Sequence, residues 1–251
     1  MNIHCFLKYK KNIYMIFICF KYKIKMEDLI NDFSELNLKI KKQFKKNKYQ
    51  ILILVAGEGI FWAKSKLPKL GKFESDFPHN KKYMYINKSF IETFMNKITT
   101  LKTTRFGIIS SRMIGNIKDI LKAIREFIPS LPEKTDMVAQ KFHDNSEVTE
   151  SEPNKFKRDI NKIIECRHNR FSKEKILIIE SEPNKIGNTK ENSIVLNYLF
   201  SENNLQESEK NPSILESIEK EQEKLINYLQ KLLSAKPEDV REYLKNNPFN
   251  N

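Results

Sequence analysis

The sequence predicts an α/β protein built in three layers around a parallel central sheet. Short, unbroken aliphatic runs, the mark of strands buried on both faces, recur along the chain, and segments of helical period separate them. The clearest run, ILILVAGEGIFW at 51–62, passes directly into a loop bearing Gly57 and Gly59, a place where such sheets commonly hold their chemistry.

Each element has its own justification. From Met26, the stretch MEDLINDFSELNLKIKKQF sets Leu29, Phe33, Leu36, Ile40 and Phe44 at helical spacing, with acids early and lysines late as the helix dipole favours. It reads as an amphipathic lead-in helix. The strand at 51–55 follows, then a polar, Pro-bearing stretch at 64–82 that is expected to be irregular. A helix over about 89–101 has Asn87 as its expected cap and Phe90, Phe94, Ile98 and Leu101 on one face. RFGIISS, 105–111, is a second strand ending in hydroxyls, and 113–127 is a helix with Ile117, Ile120, Leu121 and Ile124 facing inward. A strand at 137–142, an acidic loop at 143–155, a helix at about 157–166 and strands at 175–179 and 193–199 complete the alternation. A charged helix is expected over 214–233, and PEDVREYL forms a last one with Pro237 at its first position. The domain organisation is therefore a basic extension and helix at 1–48, the α/β domain at 49–200, a linker at 201–212 and C-terminal helices packing on the domain at 213–251. The pentapeptide SEPNK occurs twice, at 151–155 and 181–185, without the flanking similarity that a repeat architecture requires.

Composition narrows the function. An apolar content of 39% with 17 Phe is enough for a packed core, and 31% charged residues indicate a soluble surface. The net charge of +13 is unevenly placed: residues 1–50 carry 12 Lys against four acids, whereas residues 201–251 carry 10 acids against seven bases. Basic charge alone supplies only non-specific attraction, and with no recognition motif beside it nucleic acid is not an expected partner. The eight apolar residues Ile13 to Phe20 are too few to span a bilayer and lack a signal-cleavage pattern, so no transmembrane segment is expected. Met26 is a second candidate start for the functional chain. Cys5, Cys19 and Cys166 are odd in number and widely spaced, which predicts reduced thiols in an intracellular compartment and leaves nucleus, cytoplasm and mitochondrion open. The four His, at 4, 79, 143 and 168, have no metal-ligand spacing.

At the carboxyl ends of the predicted strands stand Ala56, Gly57 and Glu58, then Ser110, Ser111 and Arg112, then Glu180, Ser181 and Glu182, with Lys157 and Arg158 opening the helix before the last set. A dinucleotide reading of the glycines fails, because the third position of GxGxxG falls on Trp62, and GK[ST], GxSxG and HExxH are all absent.

This spaced set resembles the haloacid dehalogenase superfamily, in the branch of the RNA polymerase C-terminal-domain phosphatases and NLI-interacting factor, which also contains the receptor subunit of the mitochondrial inner-membrane translocase. FGIISSRMIGNIKDIL is similar to the second motif and its helix, FKRDINKI to the Lys-Asp-Leu helix, and ILIIESEPNK to the strand that normally ends in Asp-Asp-Ser-Pro-x-Lys. INYLQKLLSAKPEDVREYLKNNPF is similar to the C-terminal helices of plant-type members. The resemblance implies the three-layer Rossmann-like haloacid-dehalogenase fold. It places Ala56 at the nucleophilic Asp of the DxD motif, Glu58 at the proton-handling acid, Ser110 at the motif-two hydroxyl, and Arg158, or Lys157 one register away, at the phosphate-stabilising Lys. Glu58 and Glu180 are what remains of the Mg²⁺ ligands, with Ser181 where the second Asp of the last strand would stand.

A methyl group can neither form an acyl-phosphate nor coordinate metal. The expectation is therefore a catalytically inactive, phosphatase-like protein without a cofactor, retaining Mg²⁺ only if a residual site persists. It would act on protein partners, phosphorylated ones included, through Ser110, Ser111, Arg158 and Lys157. A translocase role with translocase subunits as partners, and an active Mg²⁺-dependent protein-serine phosphatase, are the alternatives that the resemblance leaves.

Overall fold

The aliphatic run forms β1 (Ile51–Ala56), buried along its whole length and central in a five-stranded sheet. The computed structural model describes residues 50–249 apart from 102, 134, 150–155 and 167–169, and these belong to one compact unit, Tyr49–Asn251. The lead-in helix and the basic extension lie outside the described residues.

β1 is flanked by β7 (Thr104–Ile109) and β11 (Ile176–Glu180), with β8 (Asp136–Val138) and β12 (Ser193–Val195) at the two edges, and every pairing is parallel. The chain moves outward from β1 through β7 to β8, then returns across β1 to build β11 and β12. Right-handed crossovers taken in opposite directions put their helices on opposite faces, which makes three layers and leaves a crevice beside β1 where the direction reverses. The predicted fold class, a three-layer Rossmann-like α/β fold with a parallel central sheet, is the one observed.

The helices are α1 (Lys88–Phe94), continued by a π-turn to Thr99, α2 (Ile114–Phe127), α3 (Ile160–Cys166), α4 (Glu202–Glu207), α5 (Ser213–Ala235) and α6 (Val240–Asn246). The apolar stripes of α1, α2 and α5 join the strands in one core, where Phe61 packs against Phe90, Phe94 and Phe106 at centroid distances of 5.9, 5.6 and 5.9 Å. No helix among the described residues is long and apolar enough to cross a membrane.

Several expectations are corrected. The stretch at 64–82 is ordered: β2 (Trp62–Ser65), β5 (Phe77–His79) and β6 (Lys82–Ile86) form an antiparallel sheet, with β3 (Lys69–Leu70) and β4 (Phe73–Glu74) as a hairpin between them. Its own small core of Ala63, Leu70, Tyr85, Phe200 and Leu205 compensates for the weak local signal. The supposed linker at 201–212 contains α4, capped by Ser201 and pinned by the fully buried Leu205. Asn87 stands at the N-cap position of α1 as expected, but its side chain makes no capping bond; its amide donates instead to the Ile60 carbonyl and ties the helix start to the loop after β1. The last helix begins at Val240 with Asp239 as its cap, and the Pro237 carbonyl instead accepts from Lys175. The strand expected at 137–142 ends at Val138 and gives way to a 3₁₀ turn over Gln140–Phe142. Finally, Lys157 and Arg158 are not helical. They form β10 (Lys157–Arg158), paired antiparallel with β9 (His143–Asp144) inside the stretch read as a loop.

Candidate functional site

Register brings the predicted site together. Ala56 pairs with Ile109 across β1 and β7, and Val55 pairs with Ile179 across β1 and β11, so Ala56, Ser110 and Glu180 leave the sheet at nearly the same level. They open into a cleft of about 390 Å³ whose lining includes Ala56, Glu58, Lys64, Ser110, Ser111, Arg112, Arg158, Glu180, Ser181, Glu182 and Lys185.

Backbone requirements explain the glycines of the loop. A Cβ on Gly57 would lie 1.9 Å from the ring of the fully buried Trp62, so the indole packs directly on bare backbone. Gly59 has a φ of 86°, and a side chain there would also meet Ser181 Cβ at 2.8 Å. The Ser181 hydroxyl donates to the Glu58 carbonyl at 2.8 Å, which ties the loop to the end of β11.

At the floor, Arg158 is 2% exposed, and its Nε donates to Glu180 Oε2 at 2.6 Å. The second oxygen of Glu180 accepts from the backbone N–H of Ser181 at 2.9 Å, so the carboxylate is fully engaged. Arg158 Nη1 also reaches the Ser111 hydroxyl at 3.4 Å and His143 Nε2 at 2.9 Å. His143 Nε2 lies 2.9 Å from the Ser110 carbonyl as well, and a single ring nitrogen serves either that acceptor or the Arg158 donor, according to tautomer. Burial, reinforced by the Arg158 charge, pushes the His143 imidazole down to about 3, so it is neutral and lets the guanidinium sit against it.

At the rim, Glu58 bridges two cations. Its Oε1 meets Lys64 Nζ at 2.6 Å, and Oε2 meets Arg112 Nη2 at 3.3 Å. Burial works to raise its pKa, but Lys64 and Arg112 together outweigh it and hold the carboxyl below its ordinary value. Arg112 Nε is buried and makes no hydrogen bond. Glu182 pairs with Lys185. The Ser110 hydroxyl accepts from the Arg112 backbone N–H at 3.3 Å.

Only one residue of the basic pair lines the cleft. Arg158 enters the cleft, while Lys157 points to Glu147 and takes no part in the lining. Sequence reasoning missed two groups. Lys64 lay in the stretch read as irregular, because the order of β2 comes from partners distant in sequence. His143 had no partner within sequence range, because β9 and β10 bring it to Arg158 only in space.

The residues that the resemblance sets at a metal position do not fit Mg²⁺ as arranged. Ala56 offers a methyl group, both oxygens of Glu58 face cations, and those of Glu180 are taken by Arg158 and backbone N–H groups. Among the described residues no group of three or more His, Cys, Asp and Glu is placed to hold a metal.

No family model matches the chain, and no curated protein does. Among solved structures it is similar to the RNA polymerase II CTD phosphatase Fcp1 of fission yeast, determined with beryllium fluoride bound, at 10% sequence identity and a TM-score of 0.49, over 86% of this chain and 71% of that one. At that TM-score the likeness has no weight of its own; the fold rests on the strand order and register, and the site on its own side chains.

Proposed function

We propose that the protein is a phosphatase-like module that binds a phosphorylated segment of a partner protein and does not hydrolyse it. The observation that carries this reading is the pairing of Ala56, at the carboxyl end of the central strand, with a cleft still lined by four cations, Lys64, Arg112, Arg158 and Lys185, against three carboxylates. The surplus positive charge, the hydroxyls of Ser110 and Ser111 and the guanidinium forks suit a phosphate monoester. Among the described residues the cleft hydroxyls are engaged in the framework: Ser110 accepts from the Arg112 backbone N–H, Ser111 lies against Arg158, Ser181 donates to the Glu58 carbonyl, and His143 is held beneath Arg158.

A direct test pairs binding with turnover. Purified protein incubated with an aryl phosphate and Mg²⁺ is expected to release no phenol above the buffer rate, while a phosphoserine peptide shifts the backbone resonances of Ser110, Ser111 and Arg112. Magnesium-dependent release abolished by Ser110→Ala would contradict the reading.

A further inference from the structure

We propose that Glu58 is an internal stand-in for the ligand phosphate, and that by occupying the Lys64–Arg112 site it makes the cleft selective for phosphate over carboxylate. The inference rests on the phosphate-binding reading above and names the part of the cleft that receives the ligand.

Lys64 Nζ, Arg112 Nη2 and Arg112 Nε are three donors, of which Glu58 satisfies the first two with its two oxygens and leaves Nε without a partner. A phosphate monoester brings three terminal oxygens and up to two negative charges, so it can replace both Glu58 contacts and also supply the missing acceptor. A ligand carboxylate offers only what Glu58 already provides, and Glu58 provides it intramolecularly at high effective concentration. An Asp or Glu side chain of a partner is therefore excluded, and a phosphate is not.

The floor of the cleft cannot play this part. Arg158 and Glu180 have side chains 3% and 1% exposed, whereas Glu58, Lys64 and Arg112 are 37%, 31% and 20% exposed. Solvent already competes for the rim contacts, so the rim carboxylate can swing away while the floor pair stays closed.

The test titrates ¹⁵N-labelled full-length protein with inorganic phosphate and, separately, with acetate, following the Arg112 and Lys64 amides, for wild type and Glu58→Gln. Glu58→Gln keeps the side-chain shape and is expected to bind phosphate about three- to tenfold more tightly than wild type, and to gain a response to acetate that wild type lacks. Lys64→Gln should lose phosphate binding by a similar factor. Equal phosphate affinity in wild type and Glu58→Gln, with acetate silent in both, overturns the role of Glu58 and leaves the phosphate-binding reading standing. Absence of phosphate binding in every variant overturns both.

Discussion

The cleft holds two ion-pair systems that differ in burial and therefore in what they can do. At the floor, Arg158 and Glu180 are sealed from water, with His143 beneath the guanidinium and the Ser181 N–H on the carboxylate. At the rim, Glu58 holds Lys64 and Arg112 with all three side chains partly solvated. Desolvation makes a buried pair costly to break, because the surviving charge is left uncompensated, while an exposed pair contributes little since water replaces either partner. The floor is architecture, and the rim is available to a ligand.

Removing one member of the floor pair gives the largest expected effect. Glu180→Gln should destabilise the fold by about 3–5 kcal/mol in urea denaturation, because Arg158 stays buried without its counter-charge. Replacing both residues, as in Arg158→Met with Glu180→Leu, should recover most of that loss. If the single variant proves as stable as wild type, the two systems do not differ in the way their burial implies.

The next effect is pH dependence at the floor. The folded His143 pKa, about 3, lies below its ordinary value of 6.5, so between these values the unfolded chain binds the extra proton. Stability therefore falls as pH drops from about 6.5, at roughly 1.4 kcal/mol per unit, or about 3 kcal/mol by pH ~4. The carboxylates with depressed values, Glu58 and Asp239 among them, lose stability in the same direction at lower pH, so the His143 share is isolated by comparison with His143→Gln. That variant should show a flatter profile between pH ~5 and ~6.5, and the His143 ring signal of wild type should not titrate over that interval.

The smallest effect belongs to the rim. Lys64→Gln and Glu58→Gln should each change stability by less than about 1 kcal/mol, even as they change phosphate affinity in opposite directions. A rim variant as destabilising as Glu180→Gln would erase the distinction.

The same contrast separates what was legible in the sequence from what was not. Strands buried on both faces announce themselves as aliphatic runs, so β1, β7 and β11, and with them Ala56, Ser110 and Glu180, were readable from pattern alone. The cleft floor was half readable. Arg158 was expected in it, but on a helix, because a two-residue strand has no period to detect. The rim was the least readable part. Lys64 sits in β2, whose order comes from the small core it shares with Phe200 and Leu205, residues more than a hundred positions away. The fully buried Leu205 likewise turns a polar stretch read as a linker into a packed helix. Pairings of that range have no local signature.

The measurement that bears most directly on the account is Mg²⁺-dependent hydrolysis of an aryl phosphate by wild type beside the double variant Ala56→Asp, Ser181→Asp, with folding of both checked by circular dichroism. The account predicts wild type at the buffer rate and any gain confined to the double variant, since only there do the central strand and β11 present the missing carboxylates. Turnover by wild type that magnesium supports and chelation removes would contradict it.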